Sequence, residues 1–272
     1  MTSRKYFARA KIATGGSGDI YEVYDRNLQN FAMKLCRKEC KISSLAFRRE
    51  CQMLLEFGGL PHVVPLIEII AECGERAIIL PLMHQSLHDE LNEQKGKRFC
   101  EKDAATIFHQ VCIGIKQFHD RKFAHLDIKP HNILKDATGK YYICDLGSVG
   151  QVYTGNEFTT EEYSAPEIVK SIPHNYPLPA DIWSLGILLC NLLVGHVVDV
   201  RNELSALQLF SFLQPLVSFL ALELIEGMLQ VNPVDRLTID EVLDHPWLRM
   251  NATGKRKPTQ SRIKLHHSSN AI

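Results

Sequence analysis

The sequence predicts an α+β protein of two unequal lobes. Short strand-like segments fill the chain up to about residue 82, amphipathic helical segments fill most of the remainder, and the two regimes meet near residues 81–87. A third sign is the stretch 182–194, apolar nearly all round, which reads as a helix at the centre of the larger lobe.

In the front part, residues 7–12, 20–24 and 31–35 read as strands. A glycine-rich turn follows the first, and a polar connection at 26–30 precedes the third. Phe47, Cys51 and Leu54 fall at i, i+4 and i+7 among charged neighbours, so a helix belongs there. Residues 63–70 and 77–80 read as two more strands. Behind the junction, Ala104, Ile107, Phe108, Val111, Cys112, Ile115 and Phe118 form one helical stripe. Residues 133–134 and 142–143 pair as short strands that turn at 136–140. The stretch 182–194 contains Ser184 and Asn191 and falls short of the ~20 apolar residues a bilayer span needs. Further helices are expected at 207–212, 221–229 and 239–243. From residue 249 to 272 apolar periodicity ends, and a flexible basic tail is expected, with Lys255, Arg256 and Lys257 read as a solvated cluster rather than a targeting signal.

Composition sets bounds on function. The 272 residues are 45% hydrophobic and 23% charged with zero formal net charge, so nothing global argues for a nucleic-acid or membrane partner. The eight cysteines are unevenly spaced and mostly sit in apolar segments, where a free thiol packs as a small hydrophobe. Cys36 and Cys40 lack a second close Cys/His pair, which argues against a zinc site. Residues 1–11 mix charge throughout and do not read as a secretory signal. These features together lead us to expect a cytoplasmic or nuclear setting. Nothing in the pattern bears on oligomeric state.

The chemistry begins in the glycine-rich turn, Ala13-Thr14-Gly15-Gly16-Ser17-Gly18-Asp19-Ile20, whose glycines let backbone N–H groups approach phosphate oxygens. Alone, such a turn is often just a hairpin. Lys34 ends the apolar run Phe31-Ala32-Met33, and Glu50 lies on the apolar side of the next helix. A carboxylate in that setting needs a cation, and Lys34 is the natural one. Until the next motif is considered, a strand-ending lysine is equally read as a solvated surface residue unrelated to Glu50. Directly after the long amphipathic helix comes the polar loop His125-Leu126-Asp127-Ile128-Lys129-Pro130-His131-Asn132, which core packing does not explain. The short hairpin behind it brings Asn132 towards Asp145. One carboxylate to take a hydroxyl proton, plus an amide and a carboxylate to hold magnesium, is the layout that phosphoryl transfer requires.

These residues resemble the protein kinases, in family order and spacing over residues 7–248. The resemblance implies a bilobal protein kinase fold, with a small β-rich N-lobe at about 7–82 and a larger helical C-lobe at about 83–248. It implies that Gly15, Gly16, Ser17 and Gly18 cover the phosphates of ATP, while Lys34 contacts them and pairs with Glu50. Asp127 then looks like the catalytic base and Lys129 the γ-phosphate contact, with Asn132 and Asp145 as ligands of Mg2+. Thr160 matches the threonine that orients the catalytic loop in serine/threonine kinases. Ala165-Pro166-Glu167, Asp181-Ile182-Trp183, Arg236 as the partner of Glu167, and His245-Pro246-Trp247 continue the pattern.

The same resemblance implies that Ile12, Ile20, Ala32 and Leu134 enclose the adenine, with Leu80 at the rear and Pro81 and Met83 in the hinge. Ala13, Thr14 and Asp19 complete the loop. Protein substrates are the implied partners, modified on serine or threonine.

The pattern is departed from at four positions. Ala13 replaces the first glycine, Leu146 the usual phenylalanine, Thr159 a usual glycine and Leu126 the usual arginine before the catalytic aspartate. The last bears on regulation rather than chemistry. Cys144, just before Asp145, faces the nucleotide or is a buried inert thiol. Two rival readings accompany the leading one: a Wee-type kinase directed at tyrosine, and a pseudokinase that kept the fold without the reaction.

Overall fold

The computed structural model describes residues 5–14, 18–36, 41–71, 76–150, 161–169, 177–195 and 203–252. Its first part is an antiparallel five-stranded sheet in the order β1-β2-β3-β5-β4. The strands are β1 (Phe7–Thr14), β2 (Gly18–Tyr24), β3 (Asn30–Cys36), β4 (Glu68–Ile70) and β5 (Ala77–Pro81), and α1 (Lys41–Phe57) lies between β3 and β4. Side chains alternate between faces along a strand. Val23, Phe31 and Ile79 therefore form a small cluster on one face. Ile20, Lys34 and Ile78, with Ala32 and Leu80, are register partners on the other.

The strand expected over 63–70 is shorter than its apolar run. Only Glu68–Ile70 joins the sheet, and Val63 instead makes a lone bridge with Ile143 of the other lobe. Val64 N–H donates to Ile143 O at 2.9 Å, and Ile143 N–H to His62 O at 2.8 Å. Pro65 has no N–H to give a ladder. Val63 and Val64 are apolar because they plug the seam between lobes.

The second part is helical: α2 (Leu87–Glu93), α3 (Glu101–His119), α4 (Pro166–Val169), α5 (Pro177–Val194), α6 (Glu203–Leu213), α7 (Phe219–Met228), α8 (Ile239–Asp244) and α9 (Pro246–Ala252). A small sheet, ordered β6 (Gln85–Ser86), β7 (Ile133–Lys135), β8 (Tyr141–Ile143), lies beneath the junction. The predicted stripe of α3 is buried from Ala104 to Phe118. At Gly114 an added Cβ would sit 2.8 Å from His62 O and 2.6 Å from Ile143 Cδ1, so only glycine lets α3 reach the seam. α5 is long and apolar enough to cross a membrane by length and composition, yet 83% of it is buried inside the protein. It runs beyond the expected 182–194 at its start, where Asp181 is fully buried.

Helix α9 also outruns its expectation. It continues to Ala252, four residues into the segment expected to be tail, and Asn251 Nδ2 donates to Trp247 O at 2.9 Å. The anchor is Trp247, fully buried, whose Nε1 donates to Glu101 Oε2 at 2.7 Å. Residues 253–272 lie outside the described residues.

Candidate active site between the lobes

Lys34 is carried by β3, and its Nζ donates to Glu50 Oε1 and to Asp145 Oδ1, each at 2.8 Å. Glu50 is buried on α1, so one strand, one helix and the segment after β8 meet at a single ammonium group. Burial by itself opposes the charge on Lys34, but Glu50 and then Asp145 outweigh it and hold its pKa above the ordinary lysine value. Burial likewise works against ionisation of Asp145, and here Lys34 wins, holding the carboxyl below its usual range. Glu50 is pushed up by burial and by Asp145, against the pull of Lys34.

Asp145 has φ 59° and ψ 69°, a left-handed conformation uncommon for a residue with a side chain. Leu126 has φ 65°. Such residues cost roughly 1–3 kcal/mol each and persist where their surroundings over-determine them. The surroundings are visible here. Asp181, fully buried at the start of α5, accepts from His125 N at 2.7 Å, from Leu126 N at 2.8 Å and from His119 Nε2 at 3.0 Å. Asp127 N donates to His125 Nδ1 at 3.4 Å, which leaves Nε2 as the protonated nitrogen, donating to Cys144 O at 3.2 Å. Cys144 N in turn donates to Asn132 O at 2.9 Å. The loop is thereby tied both to α5 and to the backbone beside Asp145.

Within this frame Asp127 is buried, and Lys129 Nζ lies 3.0 Å from its Oδ1 and 2.8 Å from its Oδ2. Asn132 Nδ2 donates to Asp127 Oδ2 at 2.8 Å and to Asp127 O at 2.9 Å. Since the amide nitrogen is committed to Asp127, the amide oxygen of Asn132 remains as a ligand atom. Cys144 belongs with the inert thiols, because burial pushes its pKa well above the usual value. Leu146 is fully buried, and Arg49 Nε of α1 donates to Val149 O at 3.0 Å, fastening α1 to the segment after Asp145.

The profile of the family described as "Protein kinase domain" matches residues 6–248 of this chain. The chain belongs to the protein kinase family. Curated relatives carry protein kinase names, most of them serine/threonine-protein kinase. Serine/threonine-protein kinase PLK4 of Drosophila willistoni is 29% identical over 97% of this chain and 35% of its own length. MAP kinase-activated protein kinase 2 of Drosophila melanogaster is 28% identical over 87% of the chain and 71% of its length. The probable serine/threonine-protein kinase CCRP1 of Zea mays is 30% identical over 91% of the chain and 42% of its length. This kinase chain spans about a third of the length of the PLK4 relatives it matches.

Most of the expected site residues are brought together. Lys34, Glu50 and Asp145 form one ionic group, and Asp127, Lys129 and Asn132 a second. Ile20, Ala32 and Leu80 share the cleft-side face of the sheet, Pro81 closes β5 opposite Phe31, and Leu134 pairs with Ser86 and Tyr142 on the facing lobe. Met83 packs against the main core. Ile12 is 49% exposed beside the irregularity at Lys11/Ala13, and Thr14 pairs with Asp19 where β1 and β2 meet the loop. Gly18 begins β2, and an added Cβ there would meet Leu35 O at 2.3 Å. Gly15, Gly16, Ser17, Thr159 and Thr160 lie outside the described residues.

Sequence reasoning assigns no role to Asp181, His119 and His125. The available signal is an aspartate set against an apolar run, which needs buried donors. The expected ion pair at the far end is present and bidentate: Arg236 Nη1 and Nη2 reach Glu167 at 2.6 and 2.7 Å, with the guanidinium 4.9 Å from the Trp183 ring centroid.

Proposed function

We propose that this chain is a catalytically active serine/threonine kinase that transfers the terminal phosphate of ATP to hydroxyls of protein substrates. The observation that carries the reading is the holding of Asp127. Its carboxylate is buried, pinned by Asn132 and Lys129, and fixed through His125 to the backbone next to Asp145. Asp127 is oriented to accept the proton of an attacking hydroxyl, and Lys129 Nζ beside it places a positive charge where charge develops on the phosphate oxygens. Lys34 supplies the second cation, kept ionised and aimed by Glu50.

Asn132 and Asp145 offer only hard oxygen donors, and the described residues contain no cluster of three or more His, Cys, Asp or Glu suited to a metal. Two protein oxygens with the remainder from water and phosphate suit Mg2+, which favours oxygen ligands and keeps several waters. Bound there, the ion would neutralise charge on the phosphates. Lys34, Glu50, Asp127, Asn132 and Asp145 are all present, which supports activity over a scaffold role. The described cysteines are all free thiols, which supports a reducing cytoplasmic or nuclear setting.

The test is phosphoamino-acid analysis of a generic protein substrate after incubation with labelled ATP, with and without a chelator. Label on serine or threonine that disappears with the chelator is expected. Label mainly on tyrosine, or transfer that survives chelation, would overturn the reading.

A further inference from the structure

Away from the catalytic cleft, the larger lobe has an open cavity of about 360 Å³ where the connection between α2 and α3 meets the end of α5 and the start of α7. Its size falls within the range of about 300–1,000 Å³ typical of ligand pockets. One wall is apolar: Phe99, Leu193, Leu216 and Val217. Leu216 is 46% exposed, and Phe219, opening α7 two residues past the wall, is 78% exposed. Two large exposed apolar side chains thus stand at the mouth of an apolar-walled cavity.

The rim is cationic. Lys95 and Arg98 line the cavity, Lys97 lies between them, and all three are exposed. Among the described residues no carboxylate pairs with any of them, as is also true of Lys102, Lys122 and Lys140 elsewhere on the lobe. Two of the carboxylates nearby, Glu101 in the cavity lining and Asp103, are engaged by other donors, while Glu93, two residues before Lys95, is exposed. Glu101 accepts from Ser218 N and Oγ and from Trp247 Nε1, and Asp103 accepts from Cys100 Sγ at 3.1 Å. The rim is also rigidly built. Phe99 N donates to Leu192 O at 2.8 Å, and Gly195, at φ 85°, comes so close that an added Cβ would meet Gly96 O at 2.4 Å. Three exposed cations with no carboxylate partner among the described residues thus stand on an anchored backbone beside an apolar wall.

We propose that this cavity docks a short acidic segment of a partner protein, with an apolar side chain seated against Leu193, Leu216 and Val217 and carboxylates facing Lys95, Lys97 and Arg98. Charge complementarity selects this occupant. The chain's own residues 253–272 carry Lys255, Arg256, Lys257, Arg262 and Lys264 and no Asp or Glu, so the rim repels them. A nucleic acid or phosphate alone would satisfy the cations and leave the apolar wall uncovered. The inference does not depend on catalysis, so its test does not read activity.

The experiment is selection from a displayed random peptide library on the immobilised full chain at physiological ionic strength. We expect enrichment of peptides that set Asp or Glu beside Leu or Phe. Their affinity should fall by about tenfold or more in a Lys95→Glu, Arg98→Glu chain and in a Leu216→Asp chain, with melting temperature unchanged in the first. Absence of enrichment, a basic or uncharged enriched set, or affinity indifferent to all three substitutions would overturn the proposal. So would displacement of the peptides by a synthetic 253–272 peptide, which would make the tail the occupant. Displacement by an oligonucleotide, together with peptides that tolerate loss of their Leu or Phe, would mark a plain anion site and also refute it.

Discussion

The two halves of the active site are secured by different means. On the helical side, Asp127 and its loop hang from Asp181, which accepts three hydrogen bonds from inside the core. On the sheet side, Lys34 is held to Glu50 and to Asp145 by side-chain ion pairs, with one further side-chain bond from Arg49 to Val149 O tying α1 to the segment after Asp145. The difference teaches that damage to one half is damage to the fold, while damage to the other is damage to alignment. Removing Asp181 strands buried N–H groups; neutralising Glu50 leaves a well-packed helix with a mis-aimed lysine.

The largest effect should come from the ionic group shared by both halves. Asp145→Asn or Lys34→Met is expected to lower turnover by orders of magnitude, on the scale of about 10²–10⁴, with the domain still folded by circular dichroism. Next come the buried anchors. Asp181→Ala and Arg236→Ala should each destabilise the protein by about 3–5 kcal/mol, since each leaves buried partners uncompensated, and denaturant titration measures this directly. In Asp181→Ala, turnover should fall together with stability. Glu50→Gln should separate the two, lowering turnover by about tenfold, or about 1.4 kcal/mol of barrier, with little loss in denaturation midpoint. Equal stability losses in Glu50→Gln and Asp181→Ala would erase the contrast between the halves.

Acid should reveal a smaller effect. Burial holds the pKa values of His109, His131 and His245 below the ordinary 6.5. Each is therefore neutral when folded at a pH where the unfolded chain already binds a proton, so stability is lost as pH falls below about 6.5. Melting temperature should drop between about pH 7 and 5, and His245→Gln should remove part of the drop. The carboxylate of Asp145, lowered from its ordinary value of 3.8, adds a further loss only below that pH.

The smallest effect concerns Leu126. Its side chain is buried and its N–H is bound by Asp181, so no cation there waits for a phosphate. Treatment with phosphatase should change the initial rate by less than about tenfold.

Much of this is legible in the sequence, for reasons that differ by residue. The α3 stripe and the all-round apolar α5 follow from helical periodicity, and the loop carrying Asp127 and Asn132 stands out because packing does not explain it, while Lys34, Glu50 and Asp145 become legible through the resemblance to the kinases. Val63 and Val64 mislead because an apolar pair reads alike in a strand and in a plug between lobes. Asp181 stands in a visible motif, but its role is hidden because its three donors come from positions distant in sequence. The extension of α9 to Ala252 is hidden because Trp247 anchors it through Glu101, far back in the chain.

The most direct measurement of the central claim compares the wild-type chain with Asp127→Asn in two assays, nucleotide binding and phosphoryl transfer to protein. The amide keeps the shape that Asn132 and Lys129 surround but is a far weaker proton acceptor than the carboxylate. ATP affinity should stay within about threefold, while transfer falls by about 10²–10⁴. Transfer that survives in Asp127→Asn at the wild-type rate would contradict the assignment of Asp127 as the base, and with it the mechanism built on that residue.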